Sequence, residues 1–283
     1  KDEGKEFKPI FGVEAYFLPS IDEWRDDYDR IKEDKKLAKS LAKQGDTSGA
    51  TVEDEDASKK AIKSVINRRR HLVLLAQNQT GLNNLFKLIS ASYREENFYR
   101  YPRVDYKMLA EHSEGVIAAS ACLGGPYAGN YWEHREEGPE AVREAMRETT
   151  RNFVEVFGDR WYGELQWNNI PEQHELNQYI IEVCKEFDVT LISTADSHYP
   201  NREAWKDREL YKRLGWLGKG TPAWAEDNTE LPPGVEEIGY ELYPKNGNQI
   251  WESYKEYSKN LGVEYDDELV MNSITETHNI AFN

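Results

Sequence analysis

Apolar positions along this chain alternate between two spacings. Ile10–Phe17 is a short β-prone run, and His71–Ala76 (His-Leu-Val-Leu-Leu-Ala) is apolar on both faces, as buried strands are. From Gly81 to Tyr93 the spacing lengthens. Leu82, Leu85, Leu88 and Ile89 predict an amphipathic helix with Thr80 as its N-cap. Gly115–Ser120 reads as a third strand. The next helix is Pro139–Phe157, with Val142, Ala145, Met146, Phe153 and Val156 as its stripe, Pro139 in its first turn and Gly158 at its end. Trp161–Gln166 is a fourth strand, Pro171–Phe187 a helix with Leu176, Ile180, Val183 and Phe187 on one face, Val189–Thr194 a fifth strand, and Asn201–Leu214 a further helix. Strands separated by amphipathic helices predict parallel β/α units. In such folds ligands bind at the carboxyl ends of the strands.

Two stretches break the pattern. Ile21–Arg70 carries 12 acids and 13 bases. It is expected to be an insertion, part solvated helix and part mobile loop, that projects from the fold and carries little of its core. Arg68-Arg69-Arg70 forms a basic knot just before the second strand, either a charged lead-in or a contact for a phosphate backbone. Trp224–Asn283 holds 13 acids against 3 lysines, which excludes it as a nucleic-acid surface.

Composition narrows the classes. At 283 residues, 39% hydrophobic and 12% aromatic, the chain can bury a sizeable core. A net charge of −16 excludes a general DNA-coating role, yet leaves room for a small site in which cations bridge carboxylates to phosphate. No apolar run reaches the roughly 18 residues of a membrane span, and the start lacks the signature of a signal peptide. Two cysteines fit a reducing compartment, so a cytoplasmic location is expected. The chain starts at Lys1 with a strand ten residues later, and an upstream part outside this chain is expected.

Candidate chemistry gathers at strand ends. Asp196-Ser197-His198 directly follows the fifth strand; a hard carboxylate beside an imidazole suits Zn²⁺, Mn²⁺ or Fe²⁺, although a helix-capping Asp and a surface His would read the same. Glu14 interrupts an apolar strand and needs a partner. His71 opens the second strand and Cys122 follows the third. Each has a plain alternative: a salt-bridged Glu, a satisfied His, a buried free Cys. His112, His134, His174 and His278 are expected to be surface or structural, and Cys184 to be core. Gly215-Trp216-Leu217-Gly218-Lys219-Gly220 lacks the spacing of a phosphate-binding loop.

The ordered set Lys8–Tyr16, His71–Ala76, Tyr101-Pro102-Arg103-Val104-Asp105, Ser113–Leu123 and Asp196-Ser197-His198-Tyr199 resembles the PHP (polymerase and histidinol phosphatase) domain of the bacterial replicative DNA polymerase III alpha subunit. The likeness covers Lys8–Phe17 and His71–Leu214, and Tyr240–Ala281 loosely. It implies an α/β fold, a distorted seven-stranded β/α (TIM-like) barrel over residues 1–214 with the insertion at 21–70, and an acidic segment 215–283 leading toward the polymerase thumb and palm. The positions matching Glu14, His71, Cys122, Asp196 and His198 are metal ligands in that family, with Glu14 bridging. A thiolate at Cys122 favours Zn²⁺ over Mg²⁺, and Zn²⁺ or Mn²⁺ is the expected cofactor. The family's H-x-H pair and its Asp-His pair fall upstream of Lys8, so the first strands and part of the ligand set are expected to lie outside this chain.

The resemblance implies metal-dependent phosphodiester hydrolysis of the 3′–5′ exonuclease type where the site is complete. It is expected to be weak or absent in this chain alone. One alternative is a non-catalytic scaffold that stabilises the polymerase and docks a proofreading subunit. Another is a free-standing phosphoesterase, against which the motif Tyr101–Asp105 and the acidic tail argue. The polymerase's own catalytic aspartates are not in this chain. The implied partners are DNA, reached through the parent polymerase, and other replicase subunits.

Overall fold

The computed structural model describes residues 8–43, 64–208, 211 and 241–282. Five strands form one sheet: β1 (Gly12–Phe17), β2 (Arg70–Ala76), β5 (Val116–Ala119), β6 (Trp161–Gln166) and β7 (Thr190–Thr194), in that spatial order. A two-residue pair, β3 (Phe98–Tyr99) and β4 (Tyr101–Pro102), lies apart from it. β5, β6 and β7 are parallel, as expected. β2 is not: it runs antiparallel to both β1 and β5, with Glu14 opposite Val73 and Val73 opposite Ala119. The expectation of parallel units throughout is therefore corrected for β2, because side-chain patterning on a strand carries no information about its direction. The molecule is a mixed α/β fold built on this five-stranded sheet.

Helices cover one face of the sheet. They are α2 (Gln79–Ser92), α4 (Pro126–His134), α5 (Pro139–Phe157) and α6 (Pro171–Glu186), with short α3 (Tyr106–Glu111) beside them. α5 and α6 start at their prolines as predicted. α2 starts two residues earlier than expected, at Gln79, because Asn78 and not Thr80 is the cap and its side chain accepts the Gly81 N–H at 3.0 Å. Leu72, Leu74, Val116, Ala118, Trp161 and Leu165 point into these helices and are buried with Leu88, Phe153 and Ile180. Phe153 stacks on Trp161 at 4.1 Å. Strand alternation then sends Glu14, Tyr16, His71 and Glu164 to the opposite face.

α1 (Ile21–Lys43) and the stretch from Val65 correct the view of 21–70 as a solvated excursion. Leu18, Ile21, Trp24 and Val65 form a second small core, with Tyr28, Ile31 and Tyr99 against it. The Trp24 indole N–H donates to the Val65 carbonyl at 2.8 Å. The physical reason is a stripe at helical spacing, Ile21, Trp24, Tyr28 and Ile31, inside a highly charged segment. None of Ile21, Trp24, Tyr28, Ile31 and Val65 joins the main core. Residues 44–63 and the glycine cluster 215–220 lie outside the described residues; of the expected helix 201–214, residues 202–208 and 211 are helical, and 209, 210 and 212–214 lie outside the described residues.

Two C-terminal helices, α7 (Gly247–Leu261) and α8 (Asp267–Phe282), complete the fold. α8 packs along the outer edge of β7. The Ser193 N–H donates to Thr277 Oγ1 at 3.0 Å, and Thr277 Oγ1 donates to the Ser193 carbonyl at 2.9 Å, so one side chain satisfies backbone groups that a neighbouring strand would otherwise bond. Among the described residues, no helix is long and apolar enough to cross a membrane.

Candidate metal centre

The five candidate residues meet at one rim of the sheet. Because β2 runs against its neighbours, its first residues lie where β1, β5, β6 and β7 end. His71, which opens β2, is thereby brought beside the loops that follow β5 and β7. His71 Nδ1 is 2.7 Å from Glu14 Oε1 and 3.6 Å from Cys122 Sγ. The loop carrying Cys122 closes tightly over the ring: Gly124 accepts the His71 N–H at 2.8 Å, and a Cβ on Gly124 would stand 3.0 Å from His71 Nδ1. On the other side, His198 donates a ring N–H to the Asp196 carbonyl at 2.7 Å, and the carboxylate of Asp196 lies 3.8 Å from the same nitrogen. Asp196 acts electrostatically on Cys122, and Glu14 and His71 act on Asp196.

A sixth residue escaped the sequence reading. Glu164 in β6 is buried beneath the rim. Its Oε1 accepts the Ala121 N–H at 2.9 Å and its Oε2 accepts the Thr194 hydroxyl at 2.8 Å. It thus ties together the loop leading to Cys122 and the strand leading to Asp196. Ala121 (φ 58°) and Asp196 (φ 47°) are both non-glycine residues in the left-handed region, and such backbone persists only where surroundings hold it. The signal was present: a Glu between apolar neighbours in a strand is the argument that singled out Glu14.

The electrostatics are those of a site short of positive charge. Burial pushes the Cys122 thiol up to about 12, reinforced by the charge of Asp196. Burial pushes Glu164 up to about 6 and also raises Asp196. Glu14 is lowered, first by the hydrogen bond from His71. Among the described residues, no Lys or Arg pairs with Glu14, Glu164 or Asp196; the charge partners of Glu14 and Asp196 are the imidazoles of His71 and His198.

The residue types suit a borderline divalent ion, with two imidazoles, one thiol and hard carboxylates. Among the described residues, no three such side chains surround a common point at coordination distance. Glu14 and Cys122 are both turned onto His71 Nδ1, so enclosing an ion requires them to swing toward a shared position. The remaining histidines stand elsewhere. His174 is fully buried, and its ring nitrogens lie 2.9 Å from Tyr265 OH and 2.9 Å from the Asn168 carbonyl, a structural role. His134 pairs with Glu137 at the surface. Cys184 is in the core, as expected.

The chain is similar to known proteins. The family model for the PHP domain matches residues 1–168. The chain is 37% identical over 196 residues to DNA polymerase III subunit alpha of Aquifex aeolicus, an alignment covering 69% of this chain and 14% of that protein. It is 35% identical over 254 residues to the subunit of the same name in Borreliella burgdorferi, covering 90% of this chain and 18% of that protein. The Thermus aquaticus subunit is 35% identical over 140 residues, with 50% and 11% covered. The chain therefore spans less than a fifth of the length of these relatives. With its strand-end motifs and its rim of metal-type donors, the chain belongs to the PHP domain family.

Proposed function

We propose that this chain is the PHP part of a replicative DNA polymerase alpha subunit, and that its rim holds divalent metal for phosphodiester hydrolysis at DNA 3′ ends. The observation that carries the reading is the meeting of Glu14, His71, Cys122, Asp196 and His198 at one end of the sheet, with buried Glu164 beneath and, among the described residues, no Lys or Arg against the carboxylates. The likeness to polymerase alpha subunits supports DNA as the strand and other replicase subunits as partners. On this reading the five-stranded sheet is part of the family's seven-stranded barrel, in a cytoplasmic replicase.

When bound, the metal supplies Lewis acidity toward a phosphate oxygen and an activated water. Glu14, His71, Cys122, Asp196 and His198 would hold it, as Zn²⁺ or Mn²⁺. The chain's own part is to set those donors. Glu164 fixes the two loops, the Asp196 carbonyl orients the His198 ring through Nδ1, and Gly124 holds the backbone of His71.

The test is uptake of Zn²⁺, Mn²⁺ and Co²⁺ by the purified chain, followed by elemental analysis after gel filtration, beside a primer carrying a 3′ label. Retained metal that is lost in His198→Ala, with metal-dependent loss of label, supports the reading. A chain that retains no metal overturns it. Metal retained without any attack on the primer, in this chain and in the full-length subunit, would favour the scaffold role.

A further inference from the structure

Beside the rim stands a pair of arginines, Arg69 and Arg103, with no carboxylate partner among the described residues. Tyr16 lies two residues beyond Glu14 on the same face of β1, and its ring is 5.8 Å from that of His71. The Arg69 guanidinium covers Tyr16 at 4.9 Å and Tyr101 at 3.9 Å, and the two tyrosine rings meet edge to face at 5.6 Å. Arg103 lies behind, completely buried, stacked on Trp24 at 4.0 Å. It donates to the carbonyls of Tyr99, Tyr101 and Ile66. Burial first and then the charge of Arg69 together lower the Arg103 pKa to about 10, so the two cations act on one another.

This arrangement is unusual for a chain of net charge −16. The flanking arginines of the same run are neutralised: Arg68 pairs with Asp27 at 2.8 Å and Arg70 with Glu133. Among the described residues, Arg69 instead hydrogen-bonds only to Asn67, at 3.2 and 3.4 Å. The Nε atoms of Arg69 and Arg103 are both buried with no acceptor among the described residues. Two like charges held together with unused donors cost free energy unless an anion joins them. Arg69 also lines a cavity of about 420 Å³ with Arg68, Arg70 and Asn130; Glu23 and Glu133 line it too, Glu133 being paired with Arg70, and an anion has room there beside the Arg69 guanidinium. A planar guanidinium stacked on aromatic rings is fixed in orientation and offers a fork that matches phosphate oxygens.

We propose that Arg69, held on Tyr16 and Tyr101 and backed by Arg103, is a phosphate-binding site that takes a phosphodiester group of a single nucleic-acid strand whose neighbouring nucleotide reaches the candidate metal centre. The inference deepens the function proposed above and rests on it for the nature of the strand. Arg69 is the anchoring residue, and Arg103 positions the Tyr99–Tyr101 turn beneath it through three carbonyls.

The experiment is fluorescence anisotropy of a 5′-fluorescein oligo-dT probe with the full chain, in chelator, across a range of salt. Inorganic phosphate serves as a competitor. Arg69→Gln is expected to weaken binding by about tenfold or more and to reduce the salt slope by about one. Arg69→Lys keeps the charge and loses the fork, and should fall between. Arg68→Gln, whose parent side chain is already paired, should bind like the unaltered chain. Arg69→Gln binding the probe as well as the unaltered chain overturns the proposal, and so does binding of inorganic phosphate with no binding of the probe. Co²⁺ uptake is measured on the same samples. Arg69-dependent binding in a chain that takes up no metal supports the phosphate site while overturning the hydrolytic reading. Normal Co²⁺ uptake with binding indifferent to Arg69 does the reverse.

Discussion

The carbonyl of Leu242 accepts the backbone N–H of His198 at 2.7 Å. It also accepts that of Tyr199 at 3.2 Å, and the Tyr199 hydroxyl accepts the Leu242 N–H at 2.8 Å. A segment far along the chain thus pins the loop that carries a candidate ligand. Its own anchor is Glu241, buried against Lys245 at 2.8 Å and bonded by Ser253 at 2.9 Å, with Arg202 at 3.1 Å. Glu241→Ala leaves the Lys245 ammonium, 4% exposed, without its partner. The expected loss is about 3–5 kcal/mol by urea unfolding, together with weaker Co²⁺ uptake through a loosened His198. Unchanged Co²⁺ affinity in a folded Glu241→Ala chain would show that the strut does not reach the metal site.

Trp24 tests the small core at the root of the 21–70 segment. It is 3% exposed, packs on Ile21 and Val65, and covers Arg103. Trp24→Ala should cost about 3–5 kcal/mol, read by urea unfolding. A cost below about 1 kcal/mol would restore the picture of a solvated excursion.

How legible these features were depends on what side chains encode. α5 was readable at both ends, because Pro139 suits a first turn and Gly158 adopts φ 60° at the last. The stripe Ile21, Trp24, Tyr28 and Ile31 was equally periodic, but the surrounding charge hid it. The direction of β2 was not readable, and this bears on the site. In an all-parallel sheet, a residue that opens a strand sits at the end away from the ligand crevice. His71 meets Cys122 and Glu14 because β2 is reversed. The convergence was thus anticipated from strand ends, while the geometry that brings His71 into it came from the topology. Glu164 was overlooked because its neighbours gave it no motif, although its strand context matched that of Glu14.

Glu164 makes a pH prediction for the metal-free chain. Its folded pKa, raised by burial to about 6, exceeds the ordinary 4.5, so the folded state holds its proton to higher pH than the unfolded chain does. Stability from this group is greatest below about pH 4.5 and falls as pH rises toward 6, a loss of about 2 kcal/mol. Glu164→Gln keeps an acceptor for Ala121 and a polar partner for Thr194 without the buried charge. In chelator it should be more stable than the unaltered chain at pH 7.5 and lose that advantage near pH 4.5, measured by urea unfolding. With Zn²⁺ present the order should invert, since the carboxylate then faces a cation. An advantage that does not change between the two pH values would remove Glu164 from this role.

Cys122 gives the sharpest test of metal ligation. Its thiol, pushed up to about 12 by burial and by the charge of Asp196, is protonated at neutral pH in the metal-free chain. A zinc-bound sulfur is a thiolate, so binding through Cys122 must expel that proton to solvent. Cys184 is pushed up to about 12 as well, but it lies in the main core behind β6, where an arriving ion cannot reach it. Adding Zn²⁺ to the unaltered chain at pH 7.5 in weak buffer should therefore release about one proton more per ion than adding it to Cys122→Ser. The difference between the two chains isolates the thiol from every other group that titrates on binding. An indicator dye reads the protons directly, and Co²⁺ in place of Zn²⁺ should give a thiolate charge-transfer band that Cys122→Ser lacks. Equal proton release in the two chains, with no such band, would mean that the ion is held by Glu14, His71, Asp196 and His198 without the sulfur.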